Sequence, residues 1–220
     1  MKVAIRSHAA ARIARWTQRT LFACSFVLVV YCLYVMGDAW MFQRRAKAEL
    51  KRVSYATRSM GPVAPSAQPD SIEHPPETGS LIGKVEVERL GMSVALVEGT
   101  DAPTLQRAAG HIEGTALPGR IGNLGIAAHR DTFFRPLRNI RLGDLIEVTA
   151  LASTYRYRVT STKIVRPDDV SVLISDGSEV LTLVTCYPFY YVGPAPSRFI
   201  VRAERMRDPA ENPNALAVQF

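Results

Sequence analysis

Thr20 through Gly37 form an unbroken run of 18 uncharged residues, TLFACSFVLVVYCLYVMG. As a helix rising about 1.5 Å per residue, this run reaches roughly 27 Å, close to the thickness of a bilayer's hydrocarbon layer. It predicts a transmembrane helix and divides the chain into a basic segment at 1–19, an anchor at 20–37 and everything that follows. Trp16 on one flank and Trp40 with Phe42 on the other suit the two interfacial belts. No small-residue cleavage site follows the run, so an uncleaved anchor is expected rather than a signal peptide. Lys2, Arg6, Arg12, Arg15 and Arg19 precede the span, and Arg44, Arg45, Lys47, Lys51 and Arg52 follow it, so the positive-inside count is a tie. Arg19 abuts the apolar run whereas Asp38 opens the other side, which leans toward a cytoplasmic N-terminus.

The net charge of +7 resolves once it is split by position. Residues 1–55 hold 10 Lys/Arg against 2 Asp/Glu, whereas the remaining 165 residues hold 17 against 18. The high pI therefore belongs to the N-terminal segment, and a basic nucleic-acid-binding face on the folded part is poorly supported. Cys24 and Cys32 lie inside the apolar run, which leaves Cys186 alone in the rest of the chain. Neither an intradomain disulfide framework nor a structural zinc site is compatible with one thiol and scattered acidic residues, so no metal and no cofactor are expected.

Residues 38–80 read as a juxtamembrane segment and linker, the stretch 59–80 holding five prolines among Ser, Gly and Asp. A folded domain is expected over 81–205, with a polar tail at 206–220 that frays. Within the domain short strand-like runs recur between turn residues: 82–88, 93–97, 123–127, 145–150, 155–165, 180–186 and 198–204. Tyr155, Tyr157 and Val159 alternate with Arg156, Arg158 and Thr160, as a half-buried strand requires. Only 102–109 has a helical pattern. The periodicities predict an all-β barrel or sandwich.

Cys186 ends the apolar, β-branched run VLTLVTC and is followed by the loop-like YPFYYVGPAP. A thiol at a strand mouth can be a rigidly held nucleophile, although a free cysteine also serves as a small apolar side chain in a core. His129 sits in NLGIAAHRDTFF, where a strand again gives way to a polar turn. It is either an exposed turn residue or the group that titrates near neutrality and can both activate a thiol and protonate a leaving amine. Arg198 opens the run RFIVRAE, twelve residues after Cys186, and can either face solvent or stabilise an oxyanion.

The ordered set of AAHRDT around His129, TLVTC at 182–186 and Arg198 downstream resembles the signature of the sortase family. GHIEGTALPGRIGN at 110–123 is similar to the corresponding stretch of class D-like sortases, and the likeness covers roughly 81–205. The resemblance implies a closed eight-stranded β-barrel with short helices and its site at one rim, behind the N-terminal anchor. It implies a transpeptidase in which Cys186 attacks a C-terminal sorting signal, His129 exchanges protons with the leaving and entering amines, and Arg198 holds the signal. Thr185, Thr182, His111 and Asp131 are expected to contact substrate. The implied partners are a secreted protein bearing the signal, an amine acceptor of the envelope and the membrane, with the catalytic domain outside the cytoplasm.

Hydrolysis of the same thioester by water would make the chain a cysteine peptidase. An L,D-transpeptidase is disfavoured because Cys186 follows Leu-Val-Thr rather than Ser-His-Gly, and a papain-like peptidase because the strand content is wrong. A non-enzymatic alternative is a membrane-tethered β-domain that binds a partner through its Tyr- and Phe-rich loop.

Overall fold

A computed structural model describes residues 3–59, 76–150 and 153–206 of the chain. The expected linker core at 60–75 and the tail from 207 lie outside the described residues. Helix α1 runs Val3–Ser59 and contains a stretch long and apolar enough to cross a membrane. It outruns the 18-residue apolar stretch because the flanks are rich in Ala and Arg, which are themselves strong helix formers. The chain separates into two compact units at Met41/Phe42, and the second holds the rest of the fold.

Eight strands build that second unit: β1 (Leu81–Val87), β2 (Met92–Glu98), β3 (Ala109–His111), β4 (Gly122–Ala127), β5 (Leu145–Ala150), β6 (Ser153–Val165), β7 (Glu179–Tyr187) and β8 (Ser197–Met206). They close into a barrel in the order β1-β2-β3-β4-β7-β8-β6-β5, so that β1 also pairs with β5 and no edge is left open. Alternate residues turn inward, among them Val85, Val94, Leu96, Leu124, Ile126, Ile146, Leu181, Leu183 and Val201, and each is essentially without solvent exposure. The interior is a packed core and not a channel.

Strand β3 is the element absent from the sequence-based set. The helical pattern over 102–109 is realised as α2 (Ala102–Arg107), capped by the Asp101 carboxylate, which accepts from Thr104 N–H at 2.8 Å. Ala108 then turns extended and three residues slip between β2 and β4. Gly110 is required there, since a Cβ would stand 2.1 Å from the carbonyl oxygen of Gly99.

Two pairings, β2–β3 and β4–β7, are parallel and the remainder antiparallel. Following the directions round the barrel brings the C-terminal ends of β1, β4 and β7 and the N-terminal ends of β5 and β8 to one mouth. The chain leaves β4 at that mouth and crosses it to reach β5, on the far side of the ring. This crossing segment, 128–144, plugs the mouth with Phe134 and Leu137, both fully buried. Asp144 anchors its far end: the carboxylate accepts from Arg89 Nε and Nη2 at 2.6 Å each and from Arg141 N–H at 2.8 Å. Arg89 in turn donates to Asn139 O at 2.7 Å.

The last turns of α1 that belong to the second unit lie on β2. Ala46 packs on Ala95, Val97 and Ala108 alongside Phe42 and Leu81. The Gln43 carboxamide accepts from Ala95 N–H at 2.9 Å and donates to Arg107 O at 2.7 Å. Ala95 lies one residue short of where β3 begins to pair with β2, so the helix supplies a backbone partner that the three-residue strand does not reach.

The hydrogen bonds from Arg89 hold the Asp144 carboxyl below the ordinary carboxylate range. Because the folded state binds that proton more weakly than the unfolded one, the stabilisation is complete above the unfolded value and lost as pH falls through the folded one. Asp144→Asn is therefore expected to lower the melting temperature by a constant margin from neutrality down to about pH 5, and by a shrinking margin below about pH 4. Thermal unfolding of both proteins across that range checks it.

Candidate active site

Strand direction brings the chain positions expected to carry chemistry to the same mouth of the barrel. Cys186 is one residue from the end of β7. Across the antiparallel ladder its register partner on β8 is Arg198. On the other side, β4 runs parallel to β7 with Ala127 opposite Val184. The pairing continues one step beyond β4, since Ala128 N–H donates to Val184 O at 3.2 Å and the Thr185 hydroxyl donates to Ala128 O at 2.7 Å. The next residue pair in that register is His129 with Cys186. Neighbouring strands lie about 4.8 Å apart, which sets Cys186 beside Arg198, while His129 directly follows the last hydrogen-bonded rung between β4 and β7.

Residues in one row share a face of the sheet. Thr185 is buried and Phe199 packs against the core, so Cys186 and Arg198, one residue along each strand, lie on the outer face, and His129 directly follows the core residue Ala128. All three are half-buried. The site expected at a rim is thus on the outside of the barrel wall, at the plugged mouth.

Local packing holds each strand end. The residues after Cys186 are pinned by a cluster of rings: Tyr187 and Phe199 are stacked at 6.3 Å between centroids, and Phe189 meets both edge-on, at 6.1 Å from Tyr187 and 5.4 Å from Phe199. The Tyr187–Pro188 bond between them is cis. After His129 the chain turns back so that Phe134 N–H donates to His129 O at 3.0 Å, with the Phe134 ring in the core. Arg198 Nη1 donates to Ser197 O at 3.2 Å and weakly to Ala195 O at 3.5 Å, at the end of the β7–β8 loop. The guanidinium groups of Arg130 and Arg138 also face this loop, so the local field favours a negative charge at the strand ends.

Of the residues expected to contact substrate, Asp131 is exposed on the turn after His129. The other three are buried, their polar atoms committed within the fold. Thr185 bonds Ala128 O, as above, and Thr182 donates to Asn123 Oδ1 at 2.7 Å. His111 Nδ1 lies 2.7 Å from a Glu98 carboxylate oxygen, and its Nε2 lies 3.1 Å from Ala116 O. The two threonines position strands: Thr185 extends the β4–β7 pairing to the doorstep of His129, and Thr182 joins the same two strands three residues earlier. Sequence inspection passed over Asn123, which takes the Thr182 hydroxyl and donates to Val172 O at 3.0 Å, tying the β6–β7 connection to the outer wall. A polar residue beginning an otherwise apolar run was its signal.

The closed eight-stranded barrel places a cysteine near the end of β7 with an arginine opposite it on β8. Residues 85–206 match the family model for the sortase domain, and the chain belongs to the sortase family, whose members are cysteine transpeptidases. It is 37% identical to sortase D of Bacillus subtilis strain 168 over 132 residues, 60% of this chain and 67% of that one. It is 30% identical to sortase A of Listeria monocytogenes over 111 residues, spanning half of that protein. Among solved structures it resembles the Clostridium perfringens sortase D5 transpeptidase, with TM-score 0.57 and 26% identity over 71% of this chain and 98% of that one. Sortase C1 of Streptococcus suis gives TM-score 0.55 and 29% identity over 61% of this chain and 77% of that one.

Thr185→Val keeps the side chain's shape while deleting the donor to Ala128 O. Leaving a buried carbonyl without that bond is expected to cost roughly 1–3 kcal/mol of stability. Denaturant unfolding of the variant beside the parent measures the loss, and an unchanged midpoint would show that the hydroxyl is dispensable.

Proposed function

We propose that the chain is a membrane-anchored sortase in which Cys186 is the nucleophile, His129 the general acid and base, and Arg198 the group that holds the sorting signal and stabilises the oxyanion. The observation that supports this reading is one of register: Cys186 lies opposite Arg198 on β8, and His129 comes two residues after Ala127, whose partner Val184 comes two residues before Cys186.

The Cys186 thiolate attacks the carbonyl carbon of the scissile bond near the C-terminus of a secreted protein. The C–S bond forms, negative charge collects on the carbonyl oxygen, and the Arg198 donors offset it. As the tetrahedral species collapses the C–N bond breaks, and the His129 imidazolium gives its proton to the departing amine. An incoming amine then attacks the thioester, its proton passes to the now neutral His129, the new C–N bond forms and Cys186 leaves as thiolate. The four electrons of bond making and breaking balance at each step, and no redox partner or metal is needed.

The Thr20–Gly37 stretch anchors the enzyme, with the N-terminus cytoplasmic and the barrel, from residue 81 to about 205, outside. Confinement of enzyme and tethered substrate to one membrane raises their effective concentration. The acceptor is an amine of the cell envelope or of a second protein.

Mass spectrometry of the full chain in detergent, with a pool of sorting-signal peptides and an amine acceptor, tests the reading. An acyl adduct mapped to the peptide containing Cys186, with acceptor-linked product, is expected; both vanish in Cys186→Ala. Arg198→Ala is expected to slow adduct formation on the order of 10²–10³-fold, the usual loss for an oxyanion donor. Adduct with only hydrolysed peptide would make the chain a cysteine peptidase, and no adduct with any peptide would overturn the catalytic reading.

A further inference from the structure

The backbone pairing that aligns β4 with β7 stops at Ala128, one residue before His129. Beyond it the two chains diverge, one into the plug and the other into the β7–β8 loop. The next tie between them is Arg130. Its Nη2 donates to Tyr191 O at 2.7 Å and to Gly193 O at 3.0 Å, and its guanidinium lies over the Tyr191 ring, 5.9 Å from the centroid. Arg138, on the same plug segment, adds a second strut by donating to the Tyr190 hydroxyl at 2.8 Å and lying 5.6 Å from the centre of that ring.

The loop needs such support. Tyr190 is 76% exposed and Val192 96%, so the tip has little packing of its own. The contacts form a closed circuit of covalent chain and hydrogen bonds, running from Cys186 along the loop to Tyr191, across Arg130 to His129, and back through the Ala128–Val184 and Thr185–Ala128 bonds. The sheet closes the circuit on one side of the Cys186–His129 pair and Arg130 closes it on the other. Without Arg130 the turn bearing His129 would be held from its own side alone, by Phe134 N–H on His129 O and the buried Phe134 ring, with nothing fixing it against the β7–β8 loop but Arg138 further along the plug.

We infer that Arg130 is a positioning residue that clamps the β7–β8 loop to the turn bearing His129 and thereby sets the spacing between His129 and Cys186. The inference rests on the proposed pairing of those two side chains. Both clamp bonds leave from one nitrogen, so a lysine ammonium, which carries several donors on one atom, can restore part of the clamp, whereas alanine cannot. Misplacing a catalytic group by about 1 Å costs on the order of a hundredfold in rate, so a modest relaxation of the loop is measurable.

The test uses the full chain in detergent and iodoacetamide as probe, with alkylation followed on the mass of the peptide containing Cys186. The ratio of the rate at neutral pH to that at about pH 10, where an ordinary thiol is ionised, reports the influence of His129 and cancels changes in access. In His129→Ala this ratio is expected to fall. Arg130→Ala is expected to lower it in the same direction by roughly threefold or more, short of a full misplacement, with an unchanged melting temperature. Arg130→Lys is expected to lie between Arg130→Ala and the parent. If His129→Ala lowers the ratio and Arg130→Ala leaves it at the parent value, the clamp is overturned while the His129 pairing stands. If His129→Ala has no effect, the pairing itself fails and the clamp with it. Equal losses at both pH values in Arg130→Ala would show an effect on loop access alone, and that too overturns the inference. Tyr191→Leu, which removes the ring but neither hydrogen bond, supplies a milder disruption should Arg130→Ala not fold, and it is expected to lower the ratio less than His129→Ala.

Discussion

The parallel pairing of β4 with β7 is the constraint on which the site depends. Antiparallel neighbours bring the end of one strand to the start of the next; only a parallel pair brings two C-terminal ends together. His129 and Cys186 both follow apolar runs that give way to loops, and they come to the same mouth because those runs lie side by side in the same direction with Ala127 opposite Val184. Strand β8, antiparallel to β7, then contributes its beginning and not its end, which is why Arg198 opens its strand while the other two close theirs. Parallel strands require a long crossover, and here that crossover contains β5, β6 and the plug. The same topology that aligns the two side chains thus supplies the segment that seals the barrel mouth beside them.

The plug explains how a site made from strand ends can be rigid. Phe134 and Leu137 descend into the core, Asp144 is held by Arg89, and Arg138 reaches the β7–β8 loop. His129 is therefore bracketed between a hydrogen-bonded strand on one side and a hydrophobic anchor five residues later on the other. Preorganisation of this kind suits the proton transfer proposed for His129, which requires a donor in place as the tetrahedral species collapses. The buried threonines serve the same end. Thr182 and Thr185 spend their hydroxyls on β4, so the register that brings His129 opposite Cys186 is reinforced by side-chain as well as backbone bonds.

Much of this was legible in the amino-acid order, and the parts that were not have physical reasons. The alternation of Tyr157 and Val159, buried, with Arg156, Arg158 and Thr160, exposed, marks β6 as a strand with one wet face. The run VLTLVTC is apolar throughout because the β6–β7 connection covers its outer face, as the Asn123–Val172 bond attests, so alternation could not tell which side Cys186 takes. Strand β3 is three residues long and continues a run of alanines, which leaves its tertiary partners to override the local helical preference. Nor could the β4–β7 pairing be read locally, since the partners are separated by more than fifty residues and their register is set by the whole barrel. The resemblance of AAHRDT, TLVTC and Arg198 to a known signature supplied what periodicity could not.

A filled barrel leaves one place for such chemistry. Leu181, Leu183 and their neighbours occupy the interior to the exclusion of water and substrate alike, so an inward-facing cysteine at the same strand end would be inert. Facing outward, Cys186 keeps the rigidity of the sheet behind it while remaining half-exposed, and Arg198 beside it is held by the same ladder. In the proposed reaction an extended peptide and later an amine must be held in front of the thiol, where the sheet itself supplies no wall. The β7–β8 loop follows Cys186 directly, its base pinned by Phe189 and Phe199 and its tip by Arg130 and Arg138 from the plug. Chemistry on the outside of a barrel therefore depends on a loop braced from a second segment of the chain, and in this protein the brace begins at the residue next to His129.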